Sequence, residues 1–163
     1  MQTIVVALGG NALQEAKGPA TAEAQLAVVK KTAALIAPLA RDGRLLVVHG
    51  NGPQVGRIVL QNEHSTAITP AMPFDVCGAM SQGLIGYHLQ QGLGEALREA
   101  GIDKAAVTVL TQVVVDDADP GFQNPTKPIG PFYEEAEAGR IAGEKGWTLK
   151  EDAGRGWRRV VAS

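Results

Sequence analysis

Residues 3–10, TIVVALGG, and residues 44–52, RLLVVHGNG, decide the fold. Each is a short run of mostly aliphatic, branched residues that stops at Gly-Gly or Gly-Asn-Gly. An unbroken apolar run of this length, bounded by glycine, reads as a buried parallel strand feeding a tight turn. Behind the first run, Thr21 to Arg41 is Ala-rich and apolar at Leu26, Val29, Ala33, Ile36 and Leu39, which predicts a helix stopped by Asp42-Gly43. Behind the second, the stretch from about Pro53 to Glu63 predicts another helix, with proline in its opening turn. Strand, glycine loop and helix follow one another twice, and that order predicts a doubly wound α/β sheet.

Further along, Asp75 to Ala100 predicts a second long helix, although Gly78, Gly83, Gly86, Gly92 and Gly94 lower its propensity and point to close packing. Ala106 to Val115, AVTVLTQVVV, predicts a third strand. The chain then changes character. Phe122, Phe132, Tyr133, Trp147 and Trp157 cluster with Pro120, Pro125, Pro128 and Pro131. The shift predicts a domain over 1–119 and a protruding subdomain or flap over 120–163, with a short helix from Glu134 to Lys145 and strands at 147–150 and 157–162. A chain that stops in a strand, with three core strands and no fourth, is expected to be a truncated part of a longer fold.

Composition narrows the partners. The 163 residues fit one ordinary domain, able to bury about 70% of its unfolded surface. A net charge of -2 gives no basic field for nucleic acid or an anionic membrane, and no apolar run is long enough for a membrane span. Cys77 is the single cysteine, so no intrachain disulfide and no cysteine-based zinc site can form. A small-molecule ligand and a reducing cytoplasm are the expectation.

The candidate chemistry lies in Gly9-Gly10-Asn11, in Gly50-Asn51-Gly52, and in Lys127 within NPTKPIGP. Both glycine loops leave the carboxyl end of a predicted strand, the edge at which open α/β sheets bind ligands. Glycine lets backbone N–H groups approach an anion without an intervening Cβ, and a following helix adds its positive end. Taken singly, each loop is most often a tight turn; two in parallel favour an anion site. Neither matches the GxxxxGK[ST] nucleotide loop or a GxGxxG fingerprint in its usual context. Prolines stiffen the segment around Lys127, and one ammonium about 4 Å from an anion is worth about 4 kcal/mol at an effective dielectric of 20. Other candidates read as structural: His49 at a strand end, His64 and His88 in helices, Cys77 as a packing residue. Asp116, Asp117 and Asp119 read as a solvated turn, and Lys150, Arg155, Arg158 and Arg159 as a hairpin face.

Together these motifs resemble the carbamate kinases of the amino-acid kinase superfamily. The likeness runs through ALGGNAL (7–13), HGNGPQVG (49–56), PFDVCGAMSQGLIGY (73–87), TQVVVD (111–116), FQNPTKPIGPFY (122–133) and KEDAGRGWRRVVAS (150–163), nearly the whole chain. It implies a three-layer αβα fold with a mostly parallel sheet, of which this chain is the amino-terminal half. It implies reversible phosphoryl transfer between ATP and carbamate, giving ADP and carbamoyl phosphate, with Mg2+. Gly9, Gly10, Asn11, Gly50, Asn51 and Gly52 match the loops that hold carbamate and the transferred phosphoryl group, and Lys127 matches a lysine that reaches the substrate. The family's nucleotide pocket belongs mainly to the half not matched, so the isolated chain is expected to be inactive, and the whole enzyme to be a homodimer. The alternatives are a non-catalytic carbamoyl phosphate-binding fragment, or a superfamily kinase acting on another small acid.

Overall fold

The computed structural model describes residues 1–15 and 18–162. They form two compact units, Met1–Asn51 with Gly78–Leu110, and Gly52–Cys77 with Thr111–Ser163.

In the first unit, β1 (Gln2–Leu8) and β2 (Gly43–His49) pair in parallel, in register from Gln2↔Gly43 to Leu8↔His49. Between them runs α1 (Ala22–Ile36), which starts where the sequence predicts: Thr21 caps it, its Oγ1 accepting from the Ala24 N–H at 3.2 Å. It ends sooner than predicted. Pro38 has no N–H for the ladder, and Ala37–Ala40 tightens into a 3-10 turn.

The long helix α3 (Phe74–Glu99) is continuous despite its glycines. Gly92 explains one of them, since a Cβ there would lie 3.2 Å from Val29 Cγ1 and 3.3 Å from Ala33 Cβ, so its absence lets α3 approach α1. The core follows in two clusters: Val29 packs with Ile85 and Leu89 against Val6 and Val47, and Ala33 and Ala37 pack with Leu93 and Leu97 against Leu45 and Val47.

Lys104 ties the end of α3 to the turn before β2. Its ammonium donates to the carbonyls of Ala40 and Gly43, the latter at 2.6 Å, while Arg41 Nη2 donates to Ala100 O at 2.9 Å.

Two expectations need correction here. The apolar runs predicted strands buried on both faces, yet only the alternate set Ile4, Val6, Leu8, Leu45 and Val47 is covered, and Val5, Leu46 and Val48 are exposed. The predicted third strand, Ala106 to Val115, forms no ladder. β-branched side chains favour an extended backbone, but a strand also needs a hydrogen-bonding neighbour. None of the described residues supplies one, and Val113 and Val114 stand 83% and 98% exposed.

In the second unit, α2 (Gly52–His64) packs on β3 (Lys127–Tyr133), the edge strand of an antiparallel sheet ordered β3-β5-β4, with β4 at Leu149–Glu151 and β5 at Trp157–Val161. A short turn of helix, α4 (Pro120–Gln123), precedes β3, and α5 (Glu135–Lys145) follows it. The prolines around Lys127 predict a stiff segment, and the structure makes it a strand. The strand forms because it lies at an edge, where a missing N–H costs no ladder bond, and because Gly130 at φ +73° breaks the register between Ile129 and Tyr133. Gly56 of α2 lies against Gly130, where a Cβ would meet the Gly130 nitrogen at 3.0 Å.

Candidate functional site

The parallel register places Gly9-Gly10-Asn11 and Gly50-Asn51, all in the first unit, at one edge. Leu8 and His49 are partners at the carboxyl ends of β1 and β2, and the Gly50 N–H donates to Leu8 O at 3.4 Å. Gly9 therefore leaves β1 beside the point where Gly50 leaves β2. Gly10, Asn11 and Ala12 coil into a single 3-10 turn, fixed from below by Thr32, whose hydroxyl donates to Ala12 O at 2.8 Å.

Glycine at these positions is required neither by backbone strain nor by protein packing. None of Gly9, Gly10, Gly50 and Gly52 has φ in the left-handed region, and a Cβ built on any of them meets nothing within 4 Å. Open main chain facing open space is what an anion-binding cradle needs. Gly52 opens the thirteen-residue α2, and its main-chain N–H has no partner within that helix.

Asn51 is held by a residue that sequence reasoning passed over. Its Nδ2 donates to Ser81 Oγ at 2.8 Å, and Ser81 Oγ donates in turn to Gly78 O at 2.6 Å. Ser81 is completely buried in α3. One amide hydrogen of Asn51 is thus used in fixing the loop, and the other hydrogen and Oδ1 remain for a guest. No motif marks a serine in a helix rich in small residues. Asn11 is exposed, and its side chain makes no hydrogen bond among the described residues.

Lys127 opens β3 in the second unit, opposite Val161, exposed and without an ion pair among the described residues. The other candidates take structural roles. His49 Nδ1 lies 3.0 Å from Gly50 O; a carbonyl only accepts, so Nδ1 carries the proton. His88 is buried, and desolvation holds its pKa below the usual histidine value. Burial pushes the Cys77 thiol up, and Sγ donates weakly to Met72 O at 3.6 Å. Asp116 and Asp119 accept from the N–H groups of Ala118 and Gly121, as turn and cap residues do. Arg155 and Arg158 both close on Asp152, at 2.8 and 3.0 Å, and their hydrogen bonds hold its carboxyl below the usual aspartate range. Among the described residues no three His, Cys, Asp or Glu side chains converge as a metal cage, and no helix is long and apolar enough to cross a membrane.

Comparison with known proteins gives the family. The model of the amino acid kinase family matches residues 2–135. A carbamate kinase of Pyrococcus horikoshii is 54% identical over 99% of this chain and 52% of its own length, and one of Clostridium perfringens is 54% identical over 98% and 52%. Among solved structures, a carbamate kinase from Giardia lamblia bound to citric acid superposes with a TM-score of 0.86 at 45% identity, and the same enzyme bound to AMP-PNP with 0.85 at 45%. Each is covered over 52% of its length by 99% of this chain. The chain spans about half the length of the curated relatives it matches.

Proposed function

Because the chain belongs to the amino acid kinase family, we propose that it is the carbamate- and phosphate-gripping half of a carbamate kinase-type phosphotransferase, converting ATP and carbamate to ADP and carbamoyl phosphate and back. The observation that carries the reading is the pairing of Leu8 with His49, which brings two open glycine loops to one rim of a parallel sheet.

Carbamate and the terminal phosphate of ATP repel one another, so the task is to neutralise charge and align an in-line attack, with no covalent intermediate. Main-chain N–H groups of Gly9, Gly10, Gly50 and Gly52, with the amides of Asn11 and Asn51, hold the carbamate oxygens and the phosphoryl group in transit. Lys127 adds a full positive charge as negative charge spreads over the phosphoryl oxygens. An ammonium with no ion-pair partner among the described residues suits that role, since no internal acid competes for it. ATP and Mg2+ are the expected co-substrate and metal, with the nucleotide site mainly in the part of the longer relatives that this chain does not match. The Giardia relative whose structure holds AMP-PNP supports nucleotide use. The completed enzyme is a homodimer working in the cytoplasm, where the lone buried Cys77 stays reduced.

Calorimetric titration of carbamoyl phosphate into the chain, beside an ADP-coupled assay, tests this. Weak saturable binding with little or no transfer is expected. Gly10→Val and Gly50→Val, at positions where an added Cβ meets nothing within 4 Å, should leave the unfolding midpoint close to its original value and abolish binding. Binding that survives both substitutions removes the loops from the site. In the completed enzyme Lys127→Ala should slow turnover by about 3 kcal/mol, the scale of one lost oxyanion donor; unchanged turnover would exclude Lys127.

A further inference from the structure

Arg159 belongs to none of this machinery. It sits half-buried on β5, its guanidinium carbon 4.3 Å from the ring centroid of Trp147 and 5.8 Å from that of Phe74. Burial works against its charge, and the Coulombic pull of Glu63, itself paired with Lys145, is a smaller effect. The neighbouring cations are satisfied differently. Arg155 and Arg158 share Asp152, and Lys150 donates to Asn124 Oδ1. Among the described residues no carboxylate reaches ion-pair distance of Arg159. Ring contacts engage the faces of a guanidinium and leave its in-plane N–H donors available.

Arg159 also lines a cavity of about 500 Å³ within the second unit, walled by Phe74, Phe122, Trp147, Thr148 and Val160 among others. That volume falls in the range of small-molecule sites, and an apolar wall with one convergent charged group is their usual chemistry. Asp119, the acid in this wall, already accepts from the Gly121 N–H at 2.7 Å. Arg159 is the one cation lining the cavity and Asp119 its one acid, so the lining suits a guest with a single negative charge seated on Arg159 better than a dianion. A phosphate dianion would leave charge unmatched against apolar walls, whereas a monocarboxylate would not.

We propose that this cavity binds a small organic carboxylate with a flat apolar body, its two oxygens forked on Arg159 and its body against Phe74, Phe122 and Trp147. The site lies entirely within the second unit and takes a ligand different from carbamate or phosphate.

The test uses 3-phenylpropionate as probe, with 3-phenylpropionamide and propionate as controls, followed by calorimetry and tryptophan fluorescence on the whole chain. Phenylpropionate should saturate the site and perturb tryptophan emission, while the amide, which lacks the charge, and propionate, which lacks the ring, bind at least about tenfold more weakly. Arg159→Gln should weaken binding by about tenfold or more. Phe122→Ala removes an exposed ring from the wall and should leave the unfolding midpoint in place while binding falls severalfold. Equal affinity for acid and amide, binding indifferent to both substitutions, or no saturable binding overturns the proposal.

Discussion

Ser81 shows how much a single buried hydroxyl can govern. It accepts from Asn51 and donates to Gly78, so it sets where the second glycine loop stands relative to α3. Ser81→Ala should cost about 1 kcal/mol of stability, the usual net worth of one hydrogen bond. Its larger effect should fall on carbamoyl phosphate affinity, with severalfold weaker binding by calorimetry as Asn51 loses its fixed orientation. A loss of stability with affinity unchanged would reduce Ser81 to a packing residue. His88 carries a pH dependence whose sign is set by its burial. Its folded pKa is depressed, so on acidification the unfolded chain takes the proton first, from about pH 6.5 downward. Stability is therefore full above that pH and lost below it. The urea midpoint should fall between pH 7 and pH 5, and His88→Gln should flatten part of that fall; an identical pH profile in the variant would exclude His88 as a source.

At the scale of elements, the glycines of α3 separate by what surrounds them. Gly83 is exposed, and a Cβ there meets nothing within 4 Å, so Gly83→Ala should stabilise the chain by about 0.5–1 kcal/mol through helix propensity alone. Gly92→Ala gains the same propensity but pushes on Val29 and Ala33, and the urea midpoint should show no gain or a loss. Matching shifts in the two variants would mean that α3 and α1 are not held at this spacing. The same contrast explains what was legible beforehand. Strand–glycine–helix order gave β1, β2, α1 and α2 within a few residues, because each rests on local chemistry: branched residues, a Thr21 cap, a glycine stop. The reading failed where a neighbour decides. The prolines of 125–131 argued against a strand that its edge position permits, and the valines of 107–115 argued for one that no partner completes. Of the candidate site, the glycine loops were visible as spacing, whereas Ser81 was invisible because its role depends on which residue α3 places beneath Asn51.

On the scale of the whole molecule, the outstanding fact is uncovered apolar surface. Val5, Leu46 and Val48 face outward from the two-stranded sheet, and Val107, Val109 and Val114 are exposed as well. Surfaces of this kind mark interaction sites or association liabilities. Val107→Lys combined with Val109→Lys should raise the soluble, monomeric fraction in size-exclusion chromatography while changing stability by no more than about 0.5 kcal/mol per site, as for ordinary surface substitutions. A large loss of stability would show that these side chains are packed in solution. The parallel pairing of β1 with β2 alone has its own consequence. Among the described residues each strand has a ladder partner on one flank only, and in a pleated ladder every second peptide group turns to the other flank. Deuterium should therefore enter the two strands in an alternating pattern, quickly at groups bonded only to water and slowly at their immediate neighbours, residue by residue toward the rim where the loops begin.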